Sequence, residues 1–102
     1  MYCVSVLYPN TPGGRFDFEY YRSQHLPMVL ELLGDNVQRL ELRRGLVALD
    51  GSPAAYLCLL NAQIRSKDDF LAVLNANAER VLGDLPNYTN LQPLIQVDEI
   101  LA

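Results

Sequence analysis

The chain has one histidine, two cysteines, no tryptophan and no run of basic residues. Cys3 and Cys58 stand far apart in strand-like runs, without a Cys-x-x-Cys spacing. Neither a zinc site nor a disulfide framework is indicated, and ligand count excludes an iron–sulfur cluster. Both read as buried thiols, and Cys58 has no recognisable base in its own strand that would make it a nucleophile. One histidine and no Asp/Glu–His pair at helical spacing leave no divalent metal site. The 8 basic residues are outnumbered by 12 acidic ones, giving a net charge of -4, and no basic stripe alternates with aromatics, so no nucleic-acid partner is expected. The opening "MYCVSVLYPN" lacks a basic flank, and no segment approaches the length that spans a bilayer. A soluble, cytoplasmic protein with no membrane partner follows as the expectation. "PGG" at residues 12–14 is a turn without the G-x-G-x-x-G pattern, so no phosphate loop for a nucleotide is visible.

What the chain does have is an apolar half: 50% of its 102 residues are hydrophobic, enough for one compact domain spanning residues 1–102. "YCVSVLY" reads as a first strand, stopped by the turn formers of "PNTPGG". Asp17 is placed to cap a helix with Glu19 in its first turn and Phe16 stapled against Tyr21. Phe18, Tyr21, His25, Met28 and Leu32 recur at helical spacing, and Gly34 ends the element. "VQRLELRRGLVAL" and "AAYLCLLNAQI" are a second and third strand around the turn "DGSP". Ser66 with Asp69 resembles a capping box for a second helix whose stripe is Phe70, Leu74, Ala78 and Val81, ending at Gly83. "LQPLIQVDEIL" is a last strand whose Pro93 cannot donate to a ladder, which places it at a sheet edge.

The order βαββαβ predicts an α+β, ferredoxin-like fold, with an antiparallel four-stranded sheet, two helices on one face and the second and fourth strands at the edges. In the third strand Leu57 and Leu59 point one way, and Tyr56, Cys58 and Leu60 the other, so both faces are apolar. Two helices cover one face only. A second copy of the sheet is the economical cover for the other, and a homodimer packed sheet to sheet is predicted.

His25 lies two residues before Pro27, on the helix face that carries Tyr21 one turn earlier. Pro27 has no N–H for the Ser23 carbonyl and should kink or loosen the helix at that turn, next to a phenol and an imidazole. Two readings stand side by side: a core histidine hydrogen-bonded to a neighbour, or a ligand contact suited by its near-neutral titration to move a proton. Tyr8 closes the first strand on the parity of Tyr2, Val4 and Val6, and is either a ligand donor or a rim anchor. Gln96, on the parity of Leu94 and Asp98, is either a pocket group or a hydrogen-bonding residue of the dimer face. Tyr88 in "PNYTN" is a structural plug of its loop or a substrate contact. Asn61 interrupts the apolar third strand and is a further candidate for contact with substrate.

"LYPNTPGGRFDFEYYRSQHLPMVLELLG" and "GDLPNYTNLQPLIQVDEI" together resemble the EthD family of the dimeric α+β barrel superfamily, over nearly the whole chain. The specific pieces are the Tyr-Tyr-x-x-x-His-x-Pro pattern of the first helix and the "GDLPNYTNLQPLIQ" segment. The resemblance implies a dimeric barrel with a small-molecule pocket inside each subunit, between helices and sheet. The family is named for an accessory protein of ether degradation, is often labelled as reductases, and is similar to a methylmuconolactone isomerase and to polyketide-tailoring oxygenases and cyclases. Relatives often carry a second histidine where this chain has Asn61, so a two-histidine site is not implied here. Related barrel families bind haem, which makes a haem on His25 the one cofactor alternative to a cofactor-free site. Two functions are implied. One is a cofactor-independent isomerase- or cyclase-type enzyme acting on a small hydrophobic cyclic or carbonyl compound, with His25 as proton shuttle and Tyr21 orienting it. The other is a noncatalytic accessory module of a catabolic pathway, or a reductase of the same family.

Overall fold

Strand β1 (Tyr2–Pro9) occupies an interior position of the sheet because every second residue on it is apolar: Val4, Val6 and Tyr8 face one layer of helices. The computed structural model describes all 102 residues. Four antiparallel strands run in the order β2-β3-β1-β4, with β2 (Val37–Arg44) and β4 (Leu94–Glu99) at the edges. Pro93 immediately precedes the edge strand β4, where its missing donor interrupts no ladder. Strand β3 (Tyr56–Ile64) turns Cys58, Leu60, Ala62 and Ile64 into the core. No helix is long and apolar enough to cross a membrane.

The first helical segment starts as its sequence predicts. The Asp17 carboxylate accepts from the Tyr20 N–H at 3.0 Å and opens α1 (Phe18–Tyr20), and Phe16 packs on Tyr21 with ring centroids 5.0 Å apart. The chain then passes through a π-helical turn, Tyr21–His25, in which the Leu26 N–H bonds the Tyr21 carbonyl, before α2 (Leu26–Leu33) resumes with Pro27 in its first turn. The disturbance expected at Pro27 is thus a widened turn placed just ahead of it. Its consequence is a change of phase. A π turn holds one residue more than an α turn, so the inward face moves from Tyr21 and His25 to Leu26, Val29, Leu30 and Leu33. Met28 and Leu32, expected on that stripe, do not line the helix–sheet cleft. Gly34 (φ 55°, ψ -133°) ends the helix in a conformation that favours glycine.

The second helix also departs from one continuous stripe. Ser66 caps α3 (Lys67–Ala76) by accepting from the Asp69 N–H at 3.1 Å, but the chain breaks at Asn77 (φ -121°, ψ 19°) before α4 (Ala78–Gly83). The Asn77 side chain donates to the Val73 carbonyl at 2.8 Å, satisfying the helix end with a side chain in place of a further turn. Phe70 and Val81 still reach the core from either side of the break.

The sheet face without helices is less apolar than the alternation in β3 predicts. At the bulge where Pro9 pairs with Tyr56, Leu57 leaves strict alternation and packs against the helix-side cluster. Leu7, Leu59 and Leu94 remain on the outer face. The rest of it is polar: Ser5 donates to Asp98 at 2.5 Å, Asn61 donates to Ser5 at 3.1 Å, Arg43 donates to Asn61 at 2.5 Å, and Gln96 donates to Asp98 at 2.7 Å.

Candidate functional site

Four aromatic and imidazole side chains from three elements converge at one end of the helix–sheet interface. Tyr8 comes from the end of β1, Tyr21 and His25 from the π-helical turn, and Tyr88 from the loop after α4. That loop is tied to the start of the first helix: the Asp17 N–H donates to the Tyr88 carbonyl at 2.8 Å, and Thr89 Oγ1 donates to the Arg15 carbonyl at 2.7 Å. Tyr88 is fully buried, and its hydroxyl pairs with that of Tyr8 at 2.8 Å. The Tyr21 and His25 rings, one turn apart, are stacked at 5.2 Å with 16° between their planes. The His25 ring also lies 4.8 Å from that of Tyr88.

His25 is 5% exposed, and its Nδ1 lies 2.9 Å from Asp84 Oδ2. The other oxygen of Asp84 accepts from the Tyr20 hydroxyl at 2.8 Å and from the Asn87 side-chain amide at 2.8 Å. Burial pushes the Asp84 carboxyl up, but the hydrogen bonds from Asn87, His25 and Tyr20 outweigh it and hold the group below its usual value. Burial drives the hydroxyls of Tyr8, Tyr21 and Tyr88 upward, so all three are neutral phenols at neutral pH. Burial likewise pushes the Cys58 thiol up to about 12, which makes it inert as a nucleophile.

These groups line one end of a narrow cleft of about 70 Å³, whose other walls are Val4, Val6, Leu26, Leu60 and similar apolar residues. Its lining includes no arginine, lysine or carboxylate. Only Nδ1 of His25 is engaged by the protein, and the ring borders the cleft. No group of three or more histidine, cysteine, aspartate or glutamate side chains stands close enough to hold a metal ion. The arrangement offers a proton acceptor or donor at His25 and hydroxyl donors at the tyrosines, beside apolar walls.

Tyr8, Tyr21, His25 and Tyr88 are thus brought together, whereas Asn61 and Gln96 are not. Asn61 pairs across the strands with Ser5 and Glu41, and Gln96 with Ser5, all on the helix-free face. The sheet separates both from the cleft. Asp84, which engages His25 from 59 positions away, is the member of the site that sequence spacing does not reveal.

No protein-family model matches the chain, and no curated protein matches it. Among solved structures it is similar to an EthD-like protein from Ralstonia eutropha, at 33% identity and a TM-score of 0.91, covering 99% of this chain and 92% of that one. It shares its fold with an ethyl tert-butyl ether D (EthD) family protein from Bacillus halodurans, at 11% identity and a TM-score of 0.68 over 99% of both chains. HapK from Hahella chejuensis has the same fold, at 16% identity and a TM-score of 0.62 over 100% of this chain and 94% of that one.

Proposed function

Because the chain belongs to the EthD family, we propose that its cleft takes a small hydrophobic cyclic or carbonyl compound and that His25 moves a proton on it. The observation that carries the reading is an imidazole with one nitrogen engaged by a carboxylate, bordering an otherwise apolar cleft beside phenol donors. The Tyr8–Tyr88 pair supports it further. Two hydroxyls hold two protons, and their mutual bond consumes one, which leaves the other for a ligand oxygen or for the Tyr21 hydroxyl beside Tyr8. A carbonyl or phenolate oxygen on the tyrosines, with an acidic C–H or O–H near His25, satisfies both groups. Proton removal at one atom and return at another is an isomerisation or cyclisation, and it consumes no cofactor. A haem fits poorly, because the cleft walls offer no arginine or lysine to hold propionates.

The assembly we propose is a homodimer packed sheet to sheet. The helix-free face carries Leu7, Leu59 and Leu94 beside Ser5, Asn61 and Asp98, which are hydrogen-bonded to one another and stay so when a second copy covers them.

The test uses phenol and a γ-lactone as probes, with binding followed by calorimetry and turnover by exchange of ligand C–H in deuterium oxide. His25→Gln is expected to keep binding within a few-fold and to lose exchange. Binding with no exchange in the wild type would identify a noncatalytic binding module. Absence of binding by both probes would contradict the reading.

A further inference from the structure

The polarity of the His25 ring is set outside the cleft. Asp84 is ionised at neutral pH and, as a carboxylate, only accepts. At 2.9 Å from its Oδ2, Nδ1 of His25 must carry the proton. In the neutral form of the ring the lone pair is then on Nε2, the nitrogen that no protein group engages, and the ring lines the cleft. Asp84 itself has little freedom to turn, since its Oδ1 is held by Tyr20 from α1 and by Asn87 from the turn after α4. Its position is otherwise unfavourable: it follows the last residue of α4, where the helix dipole disfavours negative charge. The three donors offset that.

We propose that Asp84 is the positioning residue of the site, fixing the Nδ1–H tautomer so that His25 meets its ligand as a proton acceptor. This rests on the cleft reading above and sharpens it by naming the ligand class: compounds that bring an acidic proton to His25, such as phenols, enols and enolisable ketones. Compounds that offer only a hydrogen-bond acceptor at that point are disfavoured. In the step this implies, Nε2 takes the proton and the C–H or O–H electron pair stays on the ligand as an enolate or phenolate. The imidazolium so formed is stabilised by Asp84 and returns the proton to another atom of the same ligand, restoring the neutral ring.

Replacing Asp84 by asparagine has a directional consequence. Tyr20 and Asn87 both donate, so they retain the oxygen of the new amide, and its NH₂ then faces Nδ1. Nδ1 must accept, and the proton moves to Nε2. Because the chain has one histidine, its ring nitrogens are the only imidazole signals in a long-range ¹H–¹⁵N spectrum of the whole protein.

The experiment records that spectrum for the free wild type, for Asp84→Asn and for Tyr20→Phe, at a pH where the ring is neutral, and again with added phenol. The expected result is the Nδ1–H pattern in the wild type and in Tyr20→Phe, and the Nε2–H pattern in Asp84→Asn. Phenol should move the Nε2 signal in the wild type and bind at least 10-fold more weakly to Asp84→Asn. An Nε2–H pattern in the free wild type would overturn the proposal without reference to any variant or ligand. The same tautomer in wild type and Asp84→Asn would also overturn it. The expected tautomers with no response to phenol would leave Asp84's role standing and count against the cleft reading instead.

Discussion

The Tyr8–Tyr88 pair is the most exacting contact at the level of single residues, because each hydroxyl is the other's partner within apolar walls. Removing one takes away the other's 2.8 Å partner. Tyr8→Phe and Tyr88→Phe are each expected to lower stability by about 1–3 kcal/mol, whereas the double variant should lose clearly less than the sum. Urea unfolding of the four proteins measures this, and strict additivity would mean that the hydroxyls do not depend on each other. Asp84 gives a second test. Its folded carboxyl titrates below its unfolded value, so its stabilisation is present above the unfolded value of about 3.9 and is lost as pH falls through the lower folded value. The stability advantage of wild type over Asp84→Asn should therefore shrink on acidification below pH ~4. At this scale Tyr21 and His25 were legible, since four-residue spacing alone places them together. Asp84 was not: its segment "GDLPNYTN" reads only as a loop, and nothing local ties it to a residue on another helix.

Elements were legible where a side chain answers a backbone need. Asp17 and Ser66 sit at the two helix starts and make the bonds that their chemistry predicts, so Asp17→Ala and Ser66→Ala should each cost about 1 kcal/mol in thermal or urea unfolding. No loss in either variant would contradict the assigned caps. Gly34 adds a backbone case. A methyl group there meets nothing within 4 Å, so any loss in Gly34→Ala, expected at about 1–2 kcal/mol, comes from the φ of 55° and not from a clash. The interior of the first helix was legible only up to His25. Continuing the stripe by alternate steps of three and four to Met28 and Leu32 assumes an unbroken α-helix, and the π turn adds a residue that moves Val29 and Leu33 inward in their place. Asn77 breaks the second helix by the same kind of local competition, through a bond of its own side chain.

For the whole molecule, the order of elements and the edge position of the last strand followed from turn residues and Pro93, because both depend on backbone donors rather than on packing. The character of the helix-free face was only half legible. Alternation placed Leu59 there, but the bulge beside Pro9 withdrew Leu57, and the polar chain from Arg43 to Gln96 depends on which strands pair in which register. The proposed homodimer uses that face. Sedimentation equilibrium at micromolar concentration should give twice the monomer mass of 11.5 kDa, and Leu59→Arg should shift it to monomer while the fold is retained. A folded wild-type monomer at that concentration would contradict the homodimer.

What occupies the space in front of His25 decides whether the cleft is a binding site. A crystal structure of the protein soaked with 4-nitrophenol tests this most directly. The predicted result is the phenolic oxygen within ~2.6–3.2 Å of His25 Nε2, the ring against Leu26 and Leu60, and the far end directed to the mouth of the cleft. A probe bound only on the outer sheet face, or a cleft that stays closed and filled by its own side chains, would contradict it.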